Sequence, residues 1–148
     1  MSKRVEPVRK TVLETLHDLQ SGHRDAALAG PVQAQKYLLR TLEGQQSLPN
    51  AAKAVAFDLL AAARAELRDW AGVDDAVRAF VTHLPALEEA LGHGYRQALL
   101  ATTALERGVQ ARTELGDFAG ALQLCDLALA LNLGAHWHAK RASLEWAG

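Results

Sequence analysis

Between Leu105 and Leu131 the chain runs through two amphipathic stretches separated by Leu115-Gly116-Asp117, and this pairing constrains the fold more than anything else in the sequence. Ala101, Ala104, Leu105, Gly108, Ala111 and Leu115 recur every three or four residues, so a helix gathers them on one stripe. Glycine tolerates the left-handed conformation after a helix, and aspartate accepts the first free amides of the next. A turn this short predicts antiparallel helices. Phe118, Ala121, Leu122, Cys125, Ala128 and Leu129 then form a second stripe in which small residues alternate with large, as suits a helix lying between two neighbours.

These residues resemble the tetratricopeptide repeat, a helical hairpin of about 34 residues. Gly116, Asp117, Phe118, Ala121, Cys125 and Ala128 stand where that family has its Gly-Asp-aromatic turn and the small and bulky residues of its second helix. Leu133 replaces the usual proline, Val109 a small residue and Arg112 a tyrosine. The resemblance covers residues 101–134, roughly one repeat. It implies stacked hairpins whose first helices line a concave surface able to bind a peptide or helix of a partner protein.

Composition agrees with helices. Of 148 residues, 49% are hydrophobic but only 5% aromatic, so the apolar content is mostly alanine and leucine, which favours close-packed helices over a sheet sandwich. The length suits a single domain, 1–148. With one cysteine, Cys125, no intrachain disulfide can form. No apolar run reaches the roughly 18 to 20 residues of a membrane helix, and no apolar signal core follows Lys3 and Arg4. A soluble, cytoplasmic protein is the expectation.

Periodicity places the remaining elements. Residues 1–4 read as a flexible start. Pro7 opens a first helix carrying Val5, Val8, Val12, Leu16 and Leu19 as far as Ser21-Gly22. A short helical piece from Arg24 is broken at Gly30-Pro31, and a helix follows to about Leu42. Residues 43–50 form the longest loop. Ala51 to Trp70 is helical, with Ala56, Leu60, Ala63, Leu67 and Trp70 on one stripe, Ala71-Gly72 is the turn, and Val73, Ala76, Val77, Phe80, Val81 and Leu84 make the partner helix. Pro85 should kink or restart that helix, and a new hairpin begins near Tyr95. Residues 134–148 form a capping helix with Trp137, Ala139, Ala142 and Trp146 inward and Lys140, Arg141 and Glu145 outward. Ala27, Ala76 and Ala121, about 45 to 50 residues apart, are the equivalent positions this reading assigns. The fold class expected is all-α: antiparallel hairpins stacked as a short, irregular tetratricopeptide-like solenoid of about seven helices.

The search for chemistry is less productive. Glu14 and His17 have the Glu-x-x-His spacing of di-iron bundles, but no second copy exists. His136 and His138 flank Trp137 and point to different sides of a helix. His17-Asp18 has the dipeptide of a metal phosphohydrolase without its further ligands, and His23 does not complete the set. Cys125 lies on an apolar stripe, where burial suppresses its reactivity. No phosphate-binding glycine loop, nucleophile elbow or catalytically spaced carboxylates are present. No catalytic residue, metal site or cofactor is assigned.

Net charge is −1, with no global pull on nucleic acid or anionic lipid. Met1 to Lys53 holds 8 basic and 5 acidic residues, +3, and the rest holds 8 basic and 12 acidic, −4. Lys3, Arg4, Arg9 and Lys10 make a basic start, yet Arg64, Arg68, Arg78, Arg96, Arg107 and Arg112 are interleaved with Glu66, Asp69, Glu106 and Glu114. This reads as a solvated face laced with ion pairs, not a phosphate-binding surface. The function expected is protein-protein interaction, as an adaptor, assembly factor or regulatory domain. The resemblance assigns Thr103, Glu106, Gln110, Thr113 and Glu114 to the concave face of one helix and Asp58, Arg68 and Asp69 to the earlier one. Self-association is open. A nucleic-acid-associated regulatory protein and a metal-dependent helical-bundle enzyme are the alternatives.

Overall fold

Thr11 opens the first helix with a reciprocal cap: its hydroxyl accepts the Glu14 amide at 3.1 Å, and its own amide donates to Glu14 Oε2 at 3.2 Å. The computed structural model describes residues 11–44 and 48–147. Among these, the helices are α1 (Val12–Ala27), α2 (Pro31–Glu43), α3 (Asn50–Glu66), α4 (Trp70–Leu91), α5 (Tyr95–Leu100), α6 (Ala104–Glu114), α7 (Phe118–Ala130) and α8 (His136–Ala147), with a 3-10 turn at Gly92–Gly94 and no strand. The all-helical class is as expected, with eight α-helices instead of about seven. The start at residues 1–4, the Val5-Pro7-Val8 helix opening and residues 45–47 of the 43–50 loop lie outside the described residues.

Several boundaries differ from the sequence expectation. Ser21-Gly22 does not end α1. A Cβ at Gly22 would sit 2.2 Å from the Tyr37 hydroxyl, so this glycine is there for the close approach of α2, not as a stop. Pro85 lies inside a continuous α4, between buried Leu84 and Leu87, whose packing holds the helix across the missing amide. The helix expected to begin near Tyr95 is split in two. Ala101, placed on its apolar stripe, is instead the exposed C-cap of α5, and the Thr103 amide turns aside to a carboxylate on α3.

The turn expected at Ala71-Gly72 lies earlier, at Leu67-Arg68-Asp69, and its geometry shows that the two main hairpins are copies of one device. Residues 64–72 (RAELRDWAG) and 112–120 (RTELGDFAG) agree at six of nine positions, 48 residues apart. In each, a left-handed residue follows the first helix, Arg68 at φ 57° and Gly116 at φ 79°. The aspartate then caps: Asp69 Oδ1 accepts the Gly72 amide at 3.0 Å, and Asp117 Oδ1 the Gly120 amide at 2.9 Å. An arginine from the first helix closes the turn, Arg64 Nη1 reaching Gly72 O at 2.9 Å and Arg112 Nη1 reaching Gly120 O at 2.8 Å. Both glycines are required, because a Cβ would lie within 2.2 Å of the capping carboxylate. The equivalences are therefore Val73 with Ala121 and Val77 with Cys125, three residues out of step with the Ala76 and Ala121 pairing read from the sequence.

Alanine decides the packing. α3 buries Ala51, Ala52, Ala54, Ala56, Ala61, Ala63 and Ala65, so little side-chain bulk separates it from neighbours on several sides, and it touches α1, α2, α4 and α6. α4 also packs on α6, α6 on α7, and α7 on α8. The larger side chains of the core, Leu38, Leu60, Val73, Val77, Phe80 and Leu87, fill the seams between these helices.

The last helix presents a different face from the one expected. Trp137 is 2% exposed and Leu144 is buried two turns later, whereas Trp146 is 90% exposed and Ala139 and Ala142 face outward. Lys140 and Arg141 flank the inner side: Lys140 Nζ lies 5.1 Å over the Trp137 ring, and Arg141 Nε donates to Asp126 on α7 at 2.6 Å while also pairing with Glu145. The seven-residue spacing of Trp137 and Leu144 places the seam where the 137/139/142/146 reading did not. Among the described residues, no helix is long and apolar enough to cross a membrane.

Candidate functional site

The splitting of α5 from α6 opens a groove. α1 supplies one wall with Leu13, Leu16, His17 and Gln20; α3 supplies the floor with Val55, Asp58 and Leu59. The end of α4, through Ala90 and Leu91, and α5 with the residues after it, through Gln97, Ala98, Ala101 and Thr102, close the other side. The volume is about 630 Å³, and apolar side chains dominate the walls. Leu13, 67% exposed, stands at the lip as an exposed apolar group. Concave, mostly apolar sites with a few placed polar groups are what ligands and peptide side chains use.

Asp58 is the polar centre of that floor. Only 8% exposed, it accepts the backbone amide of Thr103 at 2.9 Å. α6 thus begins at a residue with no side-chain cap of its own and borrows the acceptor from α3. Burial pushes the Asp58 carboxyl up to about 6, against the opposing pull of the Thr103 and Ala104 amides and of Arg107.

The eight residues assigned to the concave surface separate in space. Asp58 and Thr103 are brought together by their hydrogen bond. Glu106 lies one turn along α6 beside a smaller cavity with Leu105, His136 and Trp137, its Oε1 3.7 Å from His136 Nε2. Gln110 and Glu114 continue the exposed side of α6, and half-buried Thr113 spends its hydroxyl on Val109 O at 2.7 Å. Arg68 and Asp69 are not on a groove-facing helix at all. α3 ends at Glu66, so Arg68 is the left-handed turn residue and Asp69 the cap of α4.

The residues considered for chemistry are occupied otherwise. Glu14 serves the Thr11 cap, and no group of three or more His, Cys, Asp or Glu that could hold a metal ion forms among the described residues. Cys125 is fully buried, which raises its thiol above the usual range. Arg64 and Arg112 are turned inward to close hairpins, which removes two cations from the surface where they were counted.

No family model, curated protein or solved structure matches this chain. The site stands on its own geometry.

Sequence reasoning missed the α1 and α5 walls of the groove, Leu13, Leu16, Gln20 and Ala98 above all. Their periodicities are those of core residues. What makes them a site is the break at Thr102-Thr103, imposed by Asp58 from 45 residues away. The hairpin lock, by contrast, carried a legible signal in the repeated nonapeptide.

Proposed function

We propose that this chain is a protein-protein interaction module whose partner inserts a short helix or extended segment into the groove between α1, α3 and α5. The observation that carries the reading is the groove itself: an open apolar trough of about 630 Å³, with an exposed leucine at its lip and a single buried carboxylate in its floor. An amphipathic segment is the occupant that buries such walls. The order of contacts supports an arrangement like that of overlapping tetratricopeptide hairpins, since α3 touches both its partner α4 and the first helix of the next hairpin, α6.

The test is affinity capture from native extract with the full chain, with Leu59→Arg as the groove-blocked form and Gln110→Arg as an outer-surface control. A partner lost from Leu59→Arg and kept by Gln110→Arg supports the groove. A partner kept by Leu59→Arg, with the circular dichroism of a folded protein, overturns it.

A further inference from the structure

The groove is apolar in its walls but one-sided in its charge. Asp58 lies in the floor, and its hydrogen-bond donors are backbone amides; among the described residues no cation forms an ion pair with it, Arg107 attracting it only from further off. One wall is the carbonyl end of α4, where Ala90 and Leu91 line the groove. The last turn of α4 holds no basic residue, so its partial negative charge is not offset by a side chain of its own. Among the described residues, His17 is the only lining side chain able to carry positive charge.

An occupant must deal with that carboxylate. A purely apolar segment would seal Asp58 further from water and leave a buried charge without a counter-ion, which is costly. An acidic segment would add repulsion from Asp58 and from the α4 carbonyl end. A cation flanked by apolar groups satisfies walls and floor together. We propose that the groove receives a polypeptide segment bearing a lysine or arginine between two large apolar side chains, the cation seated against Asp58 and the apolar groups against Leu16 and Leu59 on one side and Leu91 and Ala98 on the other. This rests on the reading of the groove as a peptide site and specifies the chemistry of its partner. Burial raises the Asp58 carboxyl to about 6, and a cation seated beside it would draw it back down.

The experiment is selection of random peptides of about 12 residues, displayed on phage, against the immobilised full chain. Affinities of the enriched peptides are then measured by fluorescence anisotropy on wild type, Asp58→Asn and Leu59→Arg. Asparagine keeps an acceptor for the Thr103 amide, and a thermal melt of each variant verifies folding. The expected result is a shared motif of Lys or Arg between Leu, Ile, Met or Phe, with binding weakened roughly tenfold or more by Asp58→Asn. Replacing the peptide cation by glutamine should cost a similar factor on wild type and little more on Asp58→Asn. Enriched peptides that need Leu59 but carry no cation, or bind Asp58→Asn as tightly as wild type, overturn the charge assignment alone. No enriched peptide, or enriched peptides indifferent to Leu59→Arg, overturns the groove as a peptide site.

Discussion

Arg112 donates its Nε–H to Asp74 Oδ1 at 2.8 Å, joining α6 of one hairpin to α4 of the preceding one, while its Nη1 closes its own hairpin on Gly120 O. One guanidinium therefore holds three helices. Asp74 also accepts from Arg78 Nε at 2.8 Å. Burial tends to raise its carboxyl, but the hydrogen bonds and charges of the two arginines prevail and hold it below the usual range.

Arg112→Met should therefore destabilise the fold by about 2 to 4 kcal/mol, since it leaves the Gly120 carbonyl and most of Asp74 without their donor. Urea denaturation of Arg112→Met, Asp74→Asn and the double variant measures the coupling. Arg78→Met, which removes the exposed arm of the same carboxylate, should cost far less, because water screens that pair. Equal losses from the two arginine variants would refute the keystone role.

Arg68 repeats the place of Gly116 in a left-handed conformation that a residue with a Cβ occupies at a cost of about 1 kcal/mol. Arg68→Gly should raise stability by up to about 1 kcal/mol, the relief of strain being partly offset by a freer unfolded chain. Gly116→Arg should lower it by a comparable amount. The two urea midpoints, shifted in opposite directions, are the readout.

Asp58 makes stability depend on pH in the direction opposite to most carboxylates. Its folded value of about 6 lies above the unfolded 3.8, so the native state binds the proton more tightly. Stability from this residue is fully present below about pH 4, falls as pH rises from about 4 to about 6, and is flat above. The span is up to about 3 kcal/mol at 1.36 kcal/mol per pH unit. Asp74 works the other way, its contribution being present above the unfolded carboxylate range and lost in acid. Asp58→Asn should remove the falling limb and leave only the loss that Asp74 causes in stronger acid, so between about pH 4 and 6 the melting temperature should fall in wild type and stay nearly level in the variant. Parallel profiles would show that the Asp58 carboxyl is not displaced.

How far the sequence reaches can be judged from these residues. Helical class, the Gly116-Asp117 turn and the burial of Ala104, Leu105, Gly108, Ala111, Ala121, Cys125 and Ala128 follow from 3.6-residue periodicity and cap chemistry, which are local. Arg68 disguises the second copy of that turn because arginine is not the residue a left-handed position advertises, and so Gly72, a glycine needed for room, reads as the turn. Leu144 and Trp146 exchanged places because an end helix packed on one neighbour needs only a narrow seam, and an alanine-rich stretch fits several. Asp58 as the cap of α6, and the groove that follows from it, depend on a contact 45 residues long that no local pattern encodes.

The same register makes a last test. Gln35 is the fifth residue of α2 as Asp74 is the fifth of α4, and Arg64 holds in α3 the place that Arg112 holds in α6. Ala34 and Leu38 are buried as their counterparts Val73 and Val77 are, which fixes the equivalence of the two helices. At this seam, however, Gln35 Oε1 and Arg64 Nε are buried with no hydrogen-bond partner among the described residues, although Asp74 and Arg112 are joined at the next. A buried donor and acceptor left in this state each cost about 1 to 3 kcal/mol. Gln35→Glu supplies a charged acceptor of nearly the same shape and should stabilise the fold by about 1 kcal/mol at pH 7, with the gain lost as pH falls through the carboxylate range. In an Arg64→Met background the same substitution should destabilise, because the carboxylate is then buried alone. A double-mutant cycle by urea denaturation at pH 7 decides the matter: coupling near zero would mean that the first seam is not built on the plan of the second.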